Sequence, residues 1–339
     1  MKIGIFGSGS WGSALGMVLQ SKGYAVYLWS NDPKEAEKIR KSRRLLHKLP
    51  EVLLPEEIIV TDDAGLFMEE ADILLVAVPS KFMRSFAQSI APQLRGKPKV
   101  VVCATKGLES GTLLTMTEIL ESLWLTPGGI IQGVAALSGP SHAEEVAIGM
   151  PTAVVTAHPD EAIAKIVQDV FQAPRFRVYT NNDPKGVEIG AAMKNVLAIA
   201  VGISDGLGFG DNARAALISR GLYELSLAGC KMGAQLETFS GLSGLGDLVV
   251  TCTSRHSRNR RFGELIAKGY NVESAEEEIG MVVEGLTTVR AVPDIIQKYQ
   301  IELPISEEVH AIVFKGMDPK HAVEHLMLRD LKPEGHTDI

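Results

Sequence analysis

The sequence predicts an α/β protein in two parts. A doubly wound domain is expected over residues 1–182, an all-helical domain over 183–333, and a loose polar tail at 334–339. Three observations carry this. Short apolar runs alternate with helical stretches through the first 180 residues. Several runs are continuous Val/Ile/Leu rather than alternating, as in parallel strands covered on both faces. Strand signals then stop near residue 183, at the junction formed by Asn181, Asn182, Asp183 and Pro184.

Taken in order, strands are expected at 2–7, 25–29, 73–78, 100–104, 133–138, 153–157 and 176–180. In the second half, Asp183 and Pro184 suit the start of a helix that runs through an apolar stretch and ends near Gly206 and Gly208. Asp211 is the expected N-cap of a helix reaching Ala228. Ser257 precedes another that Gly269 closes, Ser274 with Glu277 reads as a capping box, and Asp318-Pro319 opens the last.

The 339 residues, 45% hydrophobic and 22% charged, can fill two cores. A net charge of −7 argues against a general nucleic-acid binder. Cys103, Cys230 and Cys252 lack metal-ligand spacing, and so sparse a count suits a reducing compartment. No metal is expected. Residues 1–6 already read as a strand, so no signal peptide is expected before the fold. No uncharged run reaches the ~18–20 apolar residues of a membrane helix. The best candidate, 187–203, is broken by Glu188 and Lys194. These features predict a soluble, cytoplasmic protein without stable membrane insertion.

Gly7, Gly9 and Gly12 form a G-x-G-x-x-G directly after a strand and at the opening of a helix. The first allows a tight turn, the second lets backbone approach a pyrophosphate, and the third lets helix pack on strand. The pyrophosphate would meet the N–H groups of Ser10 and Trp11. This reads as the Rossmann-type signature of dinucleotide binding, with a plain glycine-rich strand-to-helix turn as the alternative. The second strand should read the adenosine ribose: an acid at its end favours NAD, and Arg or Lys favours the 2′-phosphate of NADP. Here Asn31 is neutral, Asp32 comes late and Lys34 follows, so NADPH and NADH both stay open.

Lys194-Asn195 interrupts the otherwise apolar stretch 190–201. A buried ammonium needs a carboxylate, a ligand or a cavity, and desolvation favours the neutral amine. Such a lysine can exchange a proton with substrate, or be a structural partner of Glu188 or Asp205. Lys106 stands at the carboxyl end of a strand, where open α/β sheets bind ligands, although a solvated loop charge is the plain alternative. Residues 137–144, with Gly139, Ser141, His142 and Ala143, form another strand-to-turn junction. The glycine-rich 240–247 ends in Asp247, which could face Lys194, face a substrate hydroxyl, or cap a helix. In the basic run 255–261, Ser257, Arg258 and Asn259 bring hydroxyl, guanidinium and amide to one helix start, suited to a phosphate. A solvated basic loop is the alternative. Together these features suggest hydride transfer on a small phosphorylated alcohol or ketone.

The same residues resemble the bacterial-type NAD(P)-dependent sn-glycerol-3-phosphate dehydrogenase family over essentially the whole chain. The shared motifs are Gly7–Gly12 with Ser10-Trp11, Lys106-Gly107, residues 138–143, Lys194-Asn195, residues 243–247, residues 254–261 and residues 282–285. The resemblance implies a Rossmann domain and a helical domain like that of 6-phosphogluconate dehydrogenase. It implies reversible reduction of dihydroxyacetone phosphate to sn-glycerol 3-phosphate for phospholipid synthesis, in a homodimer. By it Lys194 is the proton donor and acceptor. Lys106 touches substrate and cofactor, Gly139 and Ser141 line the substrate, and Ala143 touches the cofactor. Asp247, Ser257, Arg258 and Asn259 bind substrate, with Arg258 also near the cofactor. Val282 and Glu284 complete the cofactor site with Gly7, Gly9, Ser10, Trp11, Gly12 and Asn31. Two departures stand out. Asn31 replaces an arginine common in the family, which predicts relaxed cofactor choice, with Lys34 or the Arg40–Arg44 cluster able to compensate. The segment 47–55 also departs from the family pattern. Two rival readings are a two-domain dehydrogenase for a carboxylate hydroxyacid and a non-catalytic NAD(P)-binding sensor.

Overall fold

The computed structural model describes residues 1–45, 49–331 and 333–334. Two compact units emerge. One comprises Met1–Lys106 with Met116–Pro184; the other comprises Gly107–Thr115 with the chain from Lys185 onward. The contiguous 1–182 domain expected from sequence is thus interrupted. Leu108 and Leu113, both buried, belong to the helical unit's core.

The main sheet of the first unit has eight strands: β1 (Lys2–Phe6), β2 (Ala25–Trp29), β3 (Ile59–Thr61), β4 (Ile73–Val76), β5 (Lys99–Cys103), β6 (Ile131–Ser138), β7 (Thr152–Ala157) and β8 (Phe176–Asn181). Their order across the sheet is β8-β7-β6-β5-β4-β1-β2-β3. Neighbours pair in parallel except β6 with β7. Strands β4 and β5 are buried at every position, which is why 73–76 and 100–103 read as unbroken apolar runs. All seven expected strands form. The eighth, β3, is a three-residue edge strand, too short to give a period. Strand order reverses between β1 and β4, and the crevice at such a switch point is where open α/β sheets take ligands. A small antiparallel pair joins Arg44–Leu45 to Leu49–Leu53. His47 and Lys48 of the departing segment lie outside the described residues, as do 335–339 of the expected tail.

The helical unit is built around Pro184–Gly206, in which every residue from Gly186 to Ser204 is buried. Among the described residues it is the one helix long and apolar enough to cross a membrane, and 94% of its apolar 18-residue window lies buried inside the protein. Helices Asp211–Lys231, Asp247–Thr253, Arg258–Ala267, Val272–Ile279, Gly285–Tyr299, Pro304–Lys315 and Pro319–Met327 follow. Two expected caps are corrected. Asp211 lies inside its helix, behind an N-cap at Gly210. Asn271 caps the helix assigned to Ser274: its side chain accepts the Ser274 N–H at 2.8 Å, placing Ser274 within the first turn. Ser257 and Asp318 cap as expected.

Candidate active site

In the first unit, the chain leaves β1 through Gly7 at φ 118°, a left-handed conformation that favours glycine. The Gly7 N–H donates to the Trp29 carbonyl at 3.1 Å, tying the ends of β1 and β2 together. A Cβ at Gly12 would overlap the Gly7 carbonyl, so only glycine lets the helix Ser10–Ser21 start this close to the turn. A Cβ at Gly9 would meet nothing within 4 Å, and Gly9 supplies the N-cap without any side-chain cap. The N-terminus of this helix therefore lies beside open space, as a pyrophosphate requires. The buried indole N–H of Trp11 has no hydrogen-bond partner among the described residues. The loop fits the dinucleotide implied by the sequence. Asn31 lies exposed just beyond β2.

At the carboxyl end of β5, Thr105 donates to the Val78 carbonyl at 2.8 Å, and Lys106 Nζ donates to the Gly139 carbonyl at 3.1 Å. Ser141 donates to that carbonyl at 2.9 Å. Gly139, at φ 134°, has backbone that side chains disfavour, and a Cβ there would press on Val154. Ala143 opens the short helix that follows. Lys106, Gly139, Ser141 and Ala143 thus follow the carboxyl ends of the adjacent parallel strands β5 and β6.

In the helical unit, Lys194 is 4% exposed, and its ammonium donates to Asp247 Oδ1 at 2.7 Å and to Thr251 Oγ1 at 2.6 Å. Asp247, which the sequence offered as a possible partner of Lys194, is thus in direct contact with it. Asp205 pairs with Arg214 and Arg260. Asp247 opens a helix, and Thr251 follows four residues later on the same face, so one helix delivers both groups. The Thr251 hydroxyl donates onward to the Asp247 carbonyl at 2.6 Å. Burial pushes the neighbouring Cys252 thiol up to about 12, against the pull of Lys194, which leaves it protonated and inert.

The basic run sorts itself by partner. Arg260 pairs with Asp205 and Glu264, and Arg261 with Glu278. Arg258 pairs with no acid among the described residues; it donates to the Val282 carbonyl at 3.0 Å. It is the first residue of a helix whose N-cap, Ser257, accepts the Arg260 N–H at 3.2 Å. Asn259 is more engaged than expected: it donates to Asn195 Oδ1 at 2.9 Å and accepts the Gly285 N–H at 2.9 Å. One amide hydrogen is left for a ligand. Through these bonds residues 258–259 tie the lysine helix to the segment 282–285, which carries Val282 and Glu284.

Comparison with known proteins bears on this arrangement. Residues 2–164 match the N-terminal and residues 183–324 the C-terminal part of NAD-dependent glycerol-3-phosphate dehydrogenase. A Fusobacterium nucleatum protein named glycerol-3-phosphate dehydrogenase (NAD(P)+) is 46% identical over 334 residues, spanning 98% of each chain. The chain belongs to the NAD-dependent glycerol-3-phosphate dehydrogenase family. An Enterococcus faecalis relative of the same name is 44% identical over 338 residues, covering 100% of this chain and 98% of that one. The crystal structure of glycerol-3-phosphate dehydrogenase from Coxiella burnetii superposes with a TM-score of 0.91 at 39% identity, over 97% of this chain and 99% of that one. The family is one of NAD(P)-dependent oxidoreductases.

Sequence reasoning missed Thr251. Its signal was the four-residue spacing from Asp247, readable only once 247–253 is known to be a helix.

Proposed function

We propose that this chain catalyses the reversible NAD(P)H-dependent reduction of dihydroxyacetone phosphate to sn-glycerol 3-phosphate, as a cytoplasmic homodimer supplying glycerophospholipid synthesis. The observation that carries the reading is the buried Lys194–Asp247–Thr251 triad in the same unit as Arg258, the one arginine of 258–261 without an acidic partner among the described residues. A bound nicotinamide supplies the hydride to C2. Lys194 gives its proton to the C2 oxygen as charge builds there, and Asp247 and Thr251 hold the ammonium at that point. Lys106 polarises the carbonyl, and Gly139 and Ser141 line the substrate. Ser257, Arg258 and Asn259 take the phosphate, which fixes C2 for attack. Gly7, Gly9, Ser10, Trp11, Gly12, Asn31, Ala143, Val282 and Glu284 hold the dinucleotide, with Lys106 and Arg258 touching it as well. The homodimer and the cytoplasmic location follow from the family resemblance and the sparse cysteines.

The test is a spectrophotometric assay with dihydroxyacetone phosphate and either NADH or NADPH. Oxidation of either cofactor is expected. A folded protein that binds dinucleotide yet oxidises neither with this substrate would overturn the reading in favour of a hydroxyacid dehydrogenase or a sensor.

A further inference from the structure

The glycine loop carries an acid that its sequence position conceals. Glu35 lies six residues beyond the end of β2, in the first turn of the helix Pro33–Ser42. With Asp32 as N-cap, such a glutamate ordinarily reaches back to the cap's own N–H. Here it does not: Glu35 Oε2 accepts the Ser8 hydroxyl at 3.2 Å and the Ser30 hydroxyl at 3.0 Å. The Asp32 N–H turns to Ser30 Oγ at 3.4 Å instead. Ser8 belongs to the glycine loop after β1, Ser30 follows β2 directly, and both are buried. Two buried hydroxyls therefore hold this carboxylate across the adjoining carboxyl ends of β1 and β2. That is where the adenosine ribose of a dinucleotide lies, and where an acid about twenty residues past the glycine turn receives the 2′-hydroxyl.

The other candidates for this task are engaged elsewhere. The Asp32 carboxylate caps its helix by accepting the Lys34 N–H at 2.9 Å. Of the cations able to offset the missing arginine at Asn31, Lys34 stays exposed with its backbone N–H on Asp32, while the arginines of the 40–44 cluster are turned to other partners. Arg40 pairs with Asp62 at 3.1 Å, Arg43 donates to the carbonyls of Pro55 and Ile58, and Arg44 donates to that of Pro50.

We propose that Glu35 sets the cofactor choice, selecting the dinucleotide with a free 2′-hydroxyl, NADH, over its 2′-phosphorylated form. The inference rests on the dinucleotide reading of the glycine loop and narrows the relaxed choice that Asn31 alone predicts. A carboxylate accepts a hydrogen bond from a ribose hydroxyl and repels a 2′-phosphate. The two serines cannot relieve that repulsion while their hydroxyl protons point at Glu35.

Equilibrium titration of the purified full-length chain, followed by nucleotide and tryptophan fluorescence, tests this without turnover. Wild type should bind NADH at least about tenfold more tightly than NADPH, the scale set by like charges a few ångströms apart in a half-exposed site. The gap should narrow in high salt, as screening requires. Glu35→Gln keeps an acceptor for the serines but removes the charge, and should pull the two Kd values together mainly by tightening NADPH. Equal or tighter NADPH binding by wild type would overturn the proposal. So would an unchanged ratio in Glu35→Gln, with both cofactors weakened alike, the mark of a loop clamp only. If neither dinucleotide binds to the folded protein, the dinucleotide reading falls and the proposal with it. Binding that obeys the predicted ratio without turnover would leave the proposal standing and remove only the substrate assignment.

Discussion

Lys194 and Asp247, 6% and 2% exposed at their side chains, have each given up hydration for the other. A buried pair of this kind adds little net stability, but loss of one partner strands the other charge at a cost of about 3–5 kcal/mol. Lys194→Met should therefore abolish turnover and lower stability by that amount, while dinucleotide affinity stays near wild type because the glycine loop is untouched. Lys194→Met combined with Asp247→Asn should recover most of the stability and none of the turnover. Denaturant unfolding and single-turnover kinetics on the two proteins check this. Turnover in either variant at a rate comparable to wild type would remove Lys194 from acid–base chemistry. The same residues show what a sequence can disclose. A lysine in an apolar helix announces itself, because little else in such a segment needs a charge. Asn259 does not: its bonds to Asn195 and Gly285 span 64 and 26 positions, and no local pattern encodes them. Glu35 was concealed for the opposite reason, since its spacing from Asp32 is that of an ordinary helix start.

At the scale of elements, two glycines decide how near the helix Arg258–Ala267 lies to the lysine helix. A Cβ at Gly202 would overlap the Arg260 carbonyl, and one at Gly263 would overlap the Ile199 carbonyl. The helices Pro184–Gly206 and Arg258–Ala267 thus meet backbone to backbone, which holds Asn259 within reach of Asn195. Gly202→Ala or Gly263→Ala should push them apart, at about 1–3 kcal/mol of overpacking. KM for dihydroxyacetone phosphate should rise severalfold while dinucleotide Kd hardly moves. Steady-state kinetics beside a binding titration reads the split, and equal weakening of both ligands would contradict it. The strands were legible because short, continuous Val/Ile/Leu runs bounded by turn residues suit a sheet covered on both faces and little else. Edge strand β3 and the true caps were not: a three-residue strand shows no period, and Asn271 and Ser274 both suit a helix start.

For the whole molecule, one buried acid ties global stability to pH. Glu224, on the helix Asp211–Lys231, is 2% exposed and accepts the Ile305 N–H at 2.6 Å, the Ser306 N–H at 3.1 Å and the Ser306 hydroxyl at 2.8 Å. It closes the first turn of the helix Pro304–Lys315 from outside, where a local N-cap is absent. Burial raises its pKa from 4.5 to about 7, the three donors pulling the other way and the nearby Glu307 charge adding to the rise. Below 4.5 the folded and unfolded chains are both protonated at this site, and its contribution is fully present. Between 4.5 and about 7 the unfolded chain releases the proton while the folded chain keeps it, so stability falls as pH rises, by about 3 kcal/mol in all. Glu224→Gln removes this proton from the balance but keeps the shape of the protonated acid. The variant should match wild type near pH 5 and exceed it near pH 8, in urea unfolding followed at both values. Other titrating groups are common to the two proteins and cancel in the difference. Parallel stability curves across that range would mean that the three donors outweigh burial and that Glu224 is already ionised at pH 5.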